Sequence, residues 1–404
     1  MQIATTFDAL QEICSKIDEQ RRFAIDLEFI PERTYQPVLC LVQLATVGEA
    51  FIIDPLAIKD LSLLWQRVAH PEIETVLHAA GQDLELIFSA SALVPQNIFD
   101  TQVAAGFAGF GYPIGYGKLL QQLLGISIAK SESFSDWLER PLSASQIEYA
   151  VEDVCHLLPM ADKLIENLEQ LERAEWAFEE CRQLSDSNRY SLNPKSEFTR
   201  VKGANSLNRR GLGMLQVLCD LRSGLAKQLN RPTKSIISDT TLIELSRRPP
   251  KQIADIQRIR GIRTDQVRAH GKEILAAVER AWQISDADLP IWPASKVTAK
   301  RDLLIGDLLY SVLKVITHES DIATELVATR DEVQALVRQV REHKLDNSQL
   351  PLLQGWRKAM AGSKLVSLLT HETLSVRFQL QADPAVLLSF SNNATGHAED
   401  QLLS

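Results

Sequence analysis

Three short apolar runs, FAIDLEF (23–29), VLCLVQLA (38–45) and AFIIDP (50–55), follow one another with only turn-length segments between them. Each is rich in β-branched or aromatic residues and too short for a helix, so each reads as a strand. Strands joined so closely pair antiparallel, since a parallel return needs a crossover of a dozen or more residues. This predicts a meander. A helical pattern follows in LSLLWQRVAH (61–70), then a strand in TVLHAA (75–80) and a helix starting near Gly81. The mixture specifies an α/β domain built on a mixed sheet. From Ser143 to about Leu184 the pattern is helical throughout, with Ser143 and Gln146 spaced as a capping box and Pro159 expected to kink it.

The pattern changes after residue 184. The polar segment SDSNRYSLNPKSEF (185–198) reads as a linker extending to 206, and beyond it the chain is helical until its last thirty residues. Two helical blocks, 207–285 and 296–375, flank the proline-bearing segment LPIWPAS (289–295) and read as a diverged duplication. The tail, 384–404, is polar and expected to fray. With 404 residues, two or three cores are expected. No apolar run reaches the roughly 18 residues of a membrane span, and the N-terminus does not read as a signal peptide. The five cysteines are scattered, with no C-x-x-C pair, which argues against a disulfide framework or zinc knuckle and for a reducing cytoplasm.

Charge divides the chain as well. The net charge is −9, but residues 1–180 carry 28 acidic against 11 basic side chains, whereas residues 207–285 carry 15 basic against 7 acidic. A basic module behind an acidic domain fits a polyphosphate partner only if cations offset the acidic part. Arg258, Arg260, Arg263 and Arg268, around a Gly turn in IADIQRIRGIRTDQVRAHG, are candidate phosphate contacts; a solvated surface is the plain alternative.

Several residues can carry chemistry. Asp26 and Glu28, two apart in a strand, place both carboxylates on one face and Ile25, Leu27 and Phe29 on the other. Like charges side by side are costly without a cation, though taken alone they fit a half-exposed strand. Asp83 sits in the first turn of the helix after TVLHAA, where a macrodipole or capping role is the ordinary one. Tyr149 and Asp153 share one face of a helix. His78 reads as a core or neighbouring histidine as readily as a substrate contact, Asp100 and Thr101 as helix caps, and Trp137 as core packing rather than a base-stacking platform. Arg33 and Tyr35 lie in the loop after the D-x-E strand, where a phosphate or base can pass. No G-x-S-x-G and no G-x-x-x-x-G-K-[ST] occurs, which removes the serine-hydrolase and P-loop readings.

Taken in order, D-x-E, H-x-x-x-x-D and Y-x-x-x-D resemble the tyrosine-bearing branch of the DEDD exonuclease superfamily. The segments DLEF, TYQPVLCLVQLA, FIIDPL, LHAAGQDLELI, FDTQVAA and SFSDWLERPLSASQIEYAVEDV are similar to the ribonuclease D family over about residues 20–165. Residues 207–285 resemble the helicase-and-RNase-D C-terminal (HRDC) domain, and 296–375 do so faintly. The resemblance implies a ribonuclease H-like mixed-sheet exonuclease domain (1–184) followed by all-α domains. It implies two divalent cations, Mg2+ or Mn2+, on Asp26, Glu28, Asp83 and Asp153, with Tyr149 holding the attacking water. It also implies RNA with a single-stranded 3′ end as substrate, tRNA precursors among them; no obligate protein partner is evident in the sequence. A DNA exonuclease with the same carboxylates, and an RNA-binding module without catalysis, are the alternatives. The intact motif disfavours the second.

Overall fold

The computed structural model describes residues 2–128, 135–190, 194–292 and 299–370, together with the strand residues 374–380 and 386–392. The predicted meander forms from β2 (Arg22–Ile30), β3 (Val38–Thr46) and β4 (Glu49–Ile53), paired antiparallel in sequence. Three strands extend it in parallel: β1 (Gln2–Ala4) beside β4, β5 (Glu74–Leu77) beside β2, and β6 (Ile98–Asp100) beside β5. The mixed sheet therefore runs β1–β4–β3–β2–β5–β6. β1 and β6 have three residues each, too few for a period-2 pattern to register in the sequence.

Alternation along β2 gives each face of the sheet its own core. Phe23, Ile25 and Leu27 join Leu44, Phe51 and Ile53 beneath the helices Phe7–Gln20 and Gly81–Ser91. On the opposite face Ala24, Ala45, Val76 and Phe99 pack against the helices Thr101–Phe107 and Leu157–Gln170, and Leu41 and Ile52 against Ala150. The long helical pattern after Ser143 is three helices, Ala144–Cys155, Leu157–Gln170 and Ala174–Arg182. The capping box is present, with Ser143 and Gln146 each bonding the other's backbone N–H. The break falls at His156 rather than at Pro159, which instead occupies the first turn of the second helix. There a proline sacrifices no intrahelical hydrogen bond.

The two helical blocks pack differently. The first has a core of its own, with Leu215, Leu218, Leu242 and Ile274 at its centre. The expected linker is partly drawn into these cores. Leu184 and Tyr190 belong to the nuclease core, whereas Phe198, Val201 and Ala204 join that of the first helical block. Part of the linker (191–193) and of the separator (293–295) lies outside the described residues. The second block repeats the opening order of the first: a 20-residue helix (Arg209–Gln228; Lys300–Glu319), a four-residue helix, then a helix capped by Ser238 or Thr329. Its apolar residues do not form a separate core. Leu313, Leu336 and Trp356 share one with Phe107, Leu157 and Leu164 of the nuclease part.

Trp356 is central to that junction. Its ring meets Phe107 edge-on at 4.8 Å and stacks on Trp176 at 5.7 Å. Its indole N–H donates to Glu180 Oε1 at 3.0 Å, and Glu180 also takes a two-pronged ion pair from Arg357. Gly106 lets the chains meet: its carbonyl accepts from Ala323 N at 3.0 Å, and a Cβ there would lie 2.5 Å from Leu326 Cδ1. The expected frayed tail begins otherwise, since Val386–Asn392 pairs antiparallel with Leu374–Leu380 as a hairpin. The rest of 384–404 lies outside the described residues.

A core shared in this way makes the second block part of the nuclease's stability. Trp356→Ala is expected to cost about 3–5 kcal/mol, the usual range for a buried large aromatic. Urea unfolding of wild type and variant side by side, followed by tryptophan-independent circular dichroism, checks it. A loss below about 1 kcal/mol would contradict the shared core.

Candidate active site

The site is assembled across the sheet from β2, a helix start and a helix face. Asp26 and Glu28 project from the same face of β2, and a bulge follows Glu28. Asp153 comes from the helix Ala144–Cys155, which packs over β2, β3 and β4. Asp26, Glu28 and Asp153 each offer a carboxylate oxygen, and these atoms lie within 4.8 Å of one another. Asp83 is buried in the first turn of the helix Gly81–Ser91, and its charge acts on both Asp26 and Glu28. The Tyr149 hydroxyl hydrogen-bonds to Asp153.

The turn that aims Asp83 is held by Asp100. Ala79 adopts a left-handed backbone (φ 60), and the Asp100 carboxylate accepts from the N–H groups of Ala79 (3.0 Å) and Ala80 (2.9 Å). It also caps the helix Thr101–Phe107 by accepting from Gln102 N at 2.8 Å. The capping role read from the sequence is present at Asp100, whereas Thr101 lies inside the helix and donates its hydroxyl to the Leu77 carbonyl at 3.0 Å; the grip on residues 79–80 is an addition that only the tertiary pairing of β5 with β6 creates.

Burial and like charge dominate the electrostatics. Burial, then the charges of Asp83, Asp153 and Glu28, hold the Asp26 carboxyl well above the carboxylate range. Burial pushes Glu28 up to about 7, with Asp153 and Asp83 adding to it. It pushes Asp83 to about 7 and Asp153 to about 6, the latter partly offset by the Tyr149 hydrogen bond. Tyr149 is itself raised, first by burial and then by Asp153 and Glu28. Among the described residues, no arginine or lysine is one of the groups that shift these four carboxyls. Converging hard oxygen donors, partly desolvated and lacking an organic cation, match what a divalent metal takes as ligands.

The remaining candidates are placed differently from one another. His78 is fully engaged: Nδ1 lies 2.9 Å from Thr101 Oγ1 and Nε2 2.9 Å from the Ile114 carbonyl. It is thus committed to bracing β5 against the loop at Ile114. Tyr35 packs against the core of the first helical block, and its backbone N–H donates to Asn230 Oδ1 at 3.3 Å, so it joins two parts of the chain. Arg33 is exposed, 3.8 Å from Asp136. Trp137 is buried, its ring 5.8 Å from that of Tyr149, as the packing alternative required. Two contributors carried no sequence signal. The Tyr116 hydroxyl donates to the Glu152 carbonyl at 2.6 Å, next to Asp153. Arg140 pins the Trp137 loop to the sheet through Asp54 (2.7 and 3.0 Å) and the Cys40 carbonyl (2.8 Å).

Carboxylates from β2 and two helices converge on one face of a mixed sheet, and the comparisons give this arrangement its class, that of the 3′-5′ exonucleases. A family model described as 3′-5′ exonuclease matches residues 1–169, and an HRDC domain model matches residues 211–278. The chain is 35% identical over 370 residues to a ribonuclease D of Sphingobium indicum, covering 91% of this chain and 94% of that one. It is 36% identical to a ribonuclease D of Gluconacetobacter diazotrophicus, covering 91% and 92%. Among solved structures it is similar to Escherichia coli RNase D, described as an exoribonuclease involved in structured RNA processing. That match has a TM-score of 0.81 and 31% identity over 92% of this chain and 99% of the other. The chain belongs to the ribonuclease D family, and its activity is that of a 3′-5′ exoribonuclease. The family implies divalent metals, and the acidic cluster is where they fit. Among the described residues no helix is long and apolar enough to cross a membrane.

The raised carboxyls give a pH signature. A carboxyl whose folded pKa lies above its unfolded value of roughly 4 holds its proton more tightly when folded. Its contribution to stability is therefore full below about pH 4 and is lost as pH rises through about 6–7. His78, lowered by burial, works in the opposite direction. The readout is thus the difference between wild type and Asp26→Asn. In EDTA, the wild-type melting temperature should fall further from pH 5 to pH 8 than the variant's, and Mn2+ should restore the wild type chiefly at pH 8. Equal pH slopes would show that the Asp26 carboxyl is not raised by its surroundings.

Proposed function

We propose that this chain removes nucleotides one at a time from the 3′ end of RNA and releases nucleoside 5′-monophosphates, with Asp26, Glu28, Asp83, Tyr149 and Asp153 as its catalytic centre. The observation that carries the reading is the trio of carboxylates within 4.8 Å of one another in a ribonuclease D-family chain. Asp26, Glu28, Asp83 and Asp153 would hold two divalent ions, Mg2+ or Mn2+. Such ions, when bound, make water a nucleophile near neutral pH and offset charge on the departing 3′ oxygen. Tyr149 stays protonated, since its pKa is raised, so it serves to orient the attacking water and not to take its proton.

The substrate reading is RNA with a single-stranded 3′ end. An RNA duplex is bulky, and unpairing it costs energy that contacts to a terminal nucleotide do not supply. Precursors of tRNA fit, having a structured body and a 3′ tail, and the E. coli relative is described as processing structured RNA. The first helical block would follow the phosphates with Arg258, Arg260, Arg263 and Arg268, all exposed. The division into 1–184, 185–206, 207–285 and 296–375, and the origin of the two helical blocks in a duplication, belong to the same reading. So do a cytoplasmic location and independence of any obligate protein partner.

Asp26→Ala and Asp153→Ala are each expected to lower kcat by on the order of 10³-fold, several kcal/mol of barrier, with the fold intact by circular dichroism. EDTA should act likewise and reversibly. Tyr149→Phe should lower kcat about tenfold or more with KM nearly unchanged. Normal turnover by either aspartate variant would remove the metal-site assignment.

The end requirement is tested with a hairpin RNA carrying a short 3′ overhang, labelled at its 5′ end. A circular RNA and a DNA of the same sequence run beside it. Stepwise shortening of the overhang that stops near the stem is expected, with the circle untouched. Cuts within the circle would mark an endonuclease, and faster trimming of the DNA would overturn the RNA preference.

A further inference from the structure

Directly opposite Asp26, on the neighbouring strand β3, stands Gln43. Residues opposite one another in an antiparallel pair share a face, so Gln43 projects from the same side as Asp26. It lies under the helix Ala144–Cys155, whose Ala150 is buried there. Gln43 is 0% exposed, and neither its Nε2 nor its Oε1 has a hydrogen-bond partner among the described residues. An amide wholly removed from water with neither end satisfied is destabilising, whereas a leucine or methionine of similar size would fill the space without that penalty. The site nearest to it is the carboxylate cluster.

We infer that Gln43 is a positioning residue for the cation site: its amide N–H holds one oxygen of Asp26, turning the other toward a bound divalent ion. The inference rests on the metal-site reading above. The metal-free fold leaves the amide unpaired, and ligation by Asp26 gives it a partner. Groups that orient metal ligands in this way commonly change affinity or activity about 10–100-fold when removed.

The test uses the full chain with Gln43→Leu and, in parallel, Gln43→Met, which keeps the side-chain length. Mn2+ binding is measured by calorimetry, alongside metal-free melting temperatures and kcat at saturating Mn2+, with wild type and Asp26→Ala as references. The expected result is at least about tenfold weaker Mn2+ binding and a lower kcat, with a metal-free melting temperature equal to the wild type's or higher. Unchanged Mn2+ affinity in both variants overturns the proposal while the metal site stands. Unfolding of both variants overturns it too, because the amide would then be satisfied within the metal-free fold. If wild type binds Mn2+ no better than Asp26→Ala does, the metal-site reading itself falls.

Discussion

Withdrawal of four carboxylates from water, with like charges close by, is the constraint around which this molecule is arranged. Asp26, Glu28, Asp83 and Asp153 lie in a partly desolvated recess, and burial is the largest cause of the rise in each carboxyl's pKa. A fold that left them there had to fix each one from a different element. β2 supplies two through strand alternation, the turn held by Asp100 supplies the third, and a helix anchored by a capping box supplies the fourth. The surrounding contacts, Tyr116 to Glu152 and Arg140 to Asp54, tie these elements together, and among the described residues no lysine or arginine shifts the four carboxyls. The space for positive charge is left to metal ions.

The same logic explains how the two helical blocks differ. The first keeps its own core and meets the nuclease loop after β2 through Tyr35 and Asn230. Buried ion pairs of Arg222 with Asp239 and Glu197 fix its entry segment. The second has no core of its own in the described residues and completes that of the nuclease, through Trp356 and the Arg357–Glu180 pair. One block packs as a unit of its own, and the other supports the sheet face that carries the site.

Strand alternation and helix periodicity made much of this legible from residues alone. FAIDLEF shows which side chains of β2 face the core and which face the site, because a period of two leaves no other choice. Tyr149 and Asp153, four apart, had to share a helix face, and Ser143 with Gln146 marked where that helix begins. What brought Asp83 and Asp153 into one recess with Asp26 could be stated from sequence only by family resemblance, since no local pattern encodes proximity across more than a hundred residues.

Sequence by itself determined the meander, the acidic-to-basic division, the shared face of Asp26 and Glu28 and the all-helical character of the described residues that follow the sheet up to residue 370. Tertiary structure decided the rest. It committed His78 to two hydrogen bonds, packed Tyr35 against the core of the first helical block, and merged a block that looked independent into the nuclease core. It also placed Gln43 beside Asp26 with no hydrogen-bond partner among the described residues, although its residue type and position in VLCLVQLA looked ordinary. The reason is the same in each case. Periodicity records which face of an element is apolar, but not which distant surface will cover that face, and burial and hydrogen-bond satisfaction are properties of the covered state.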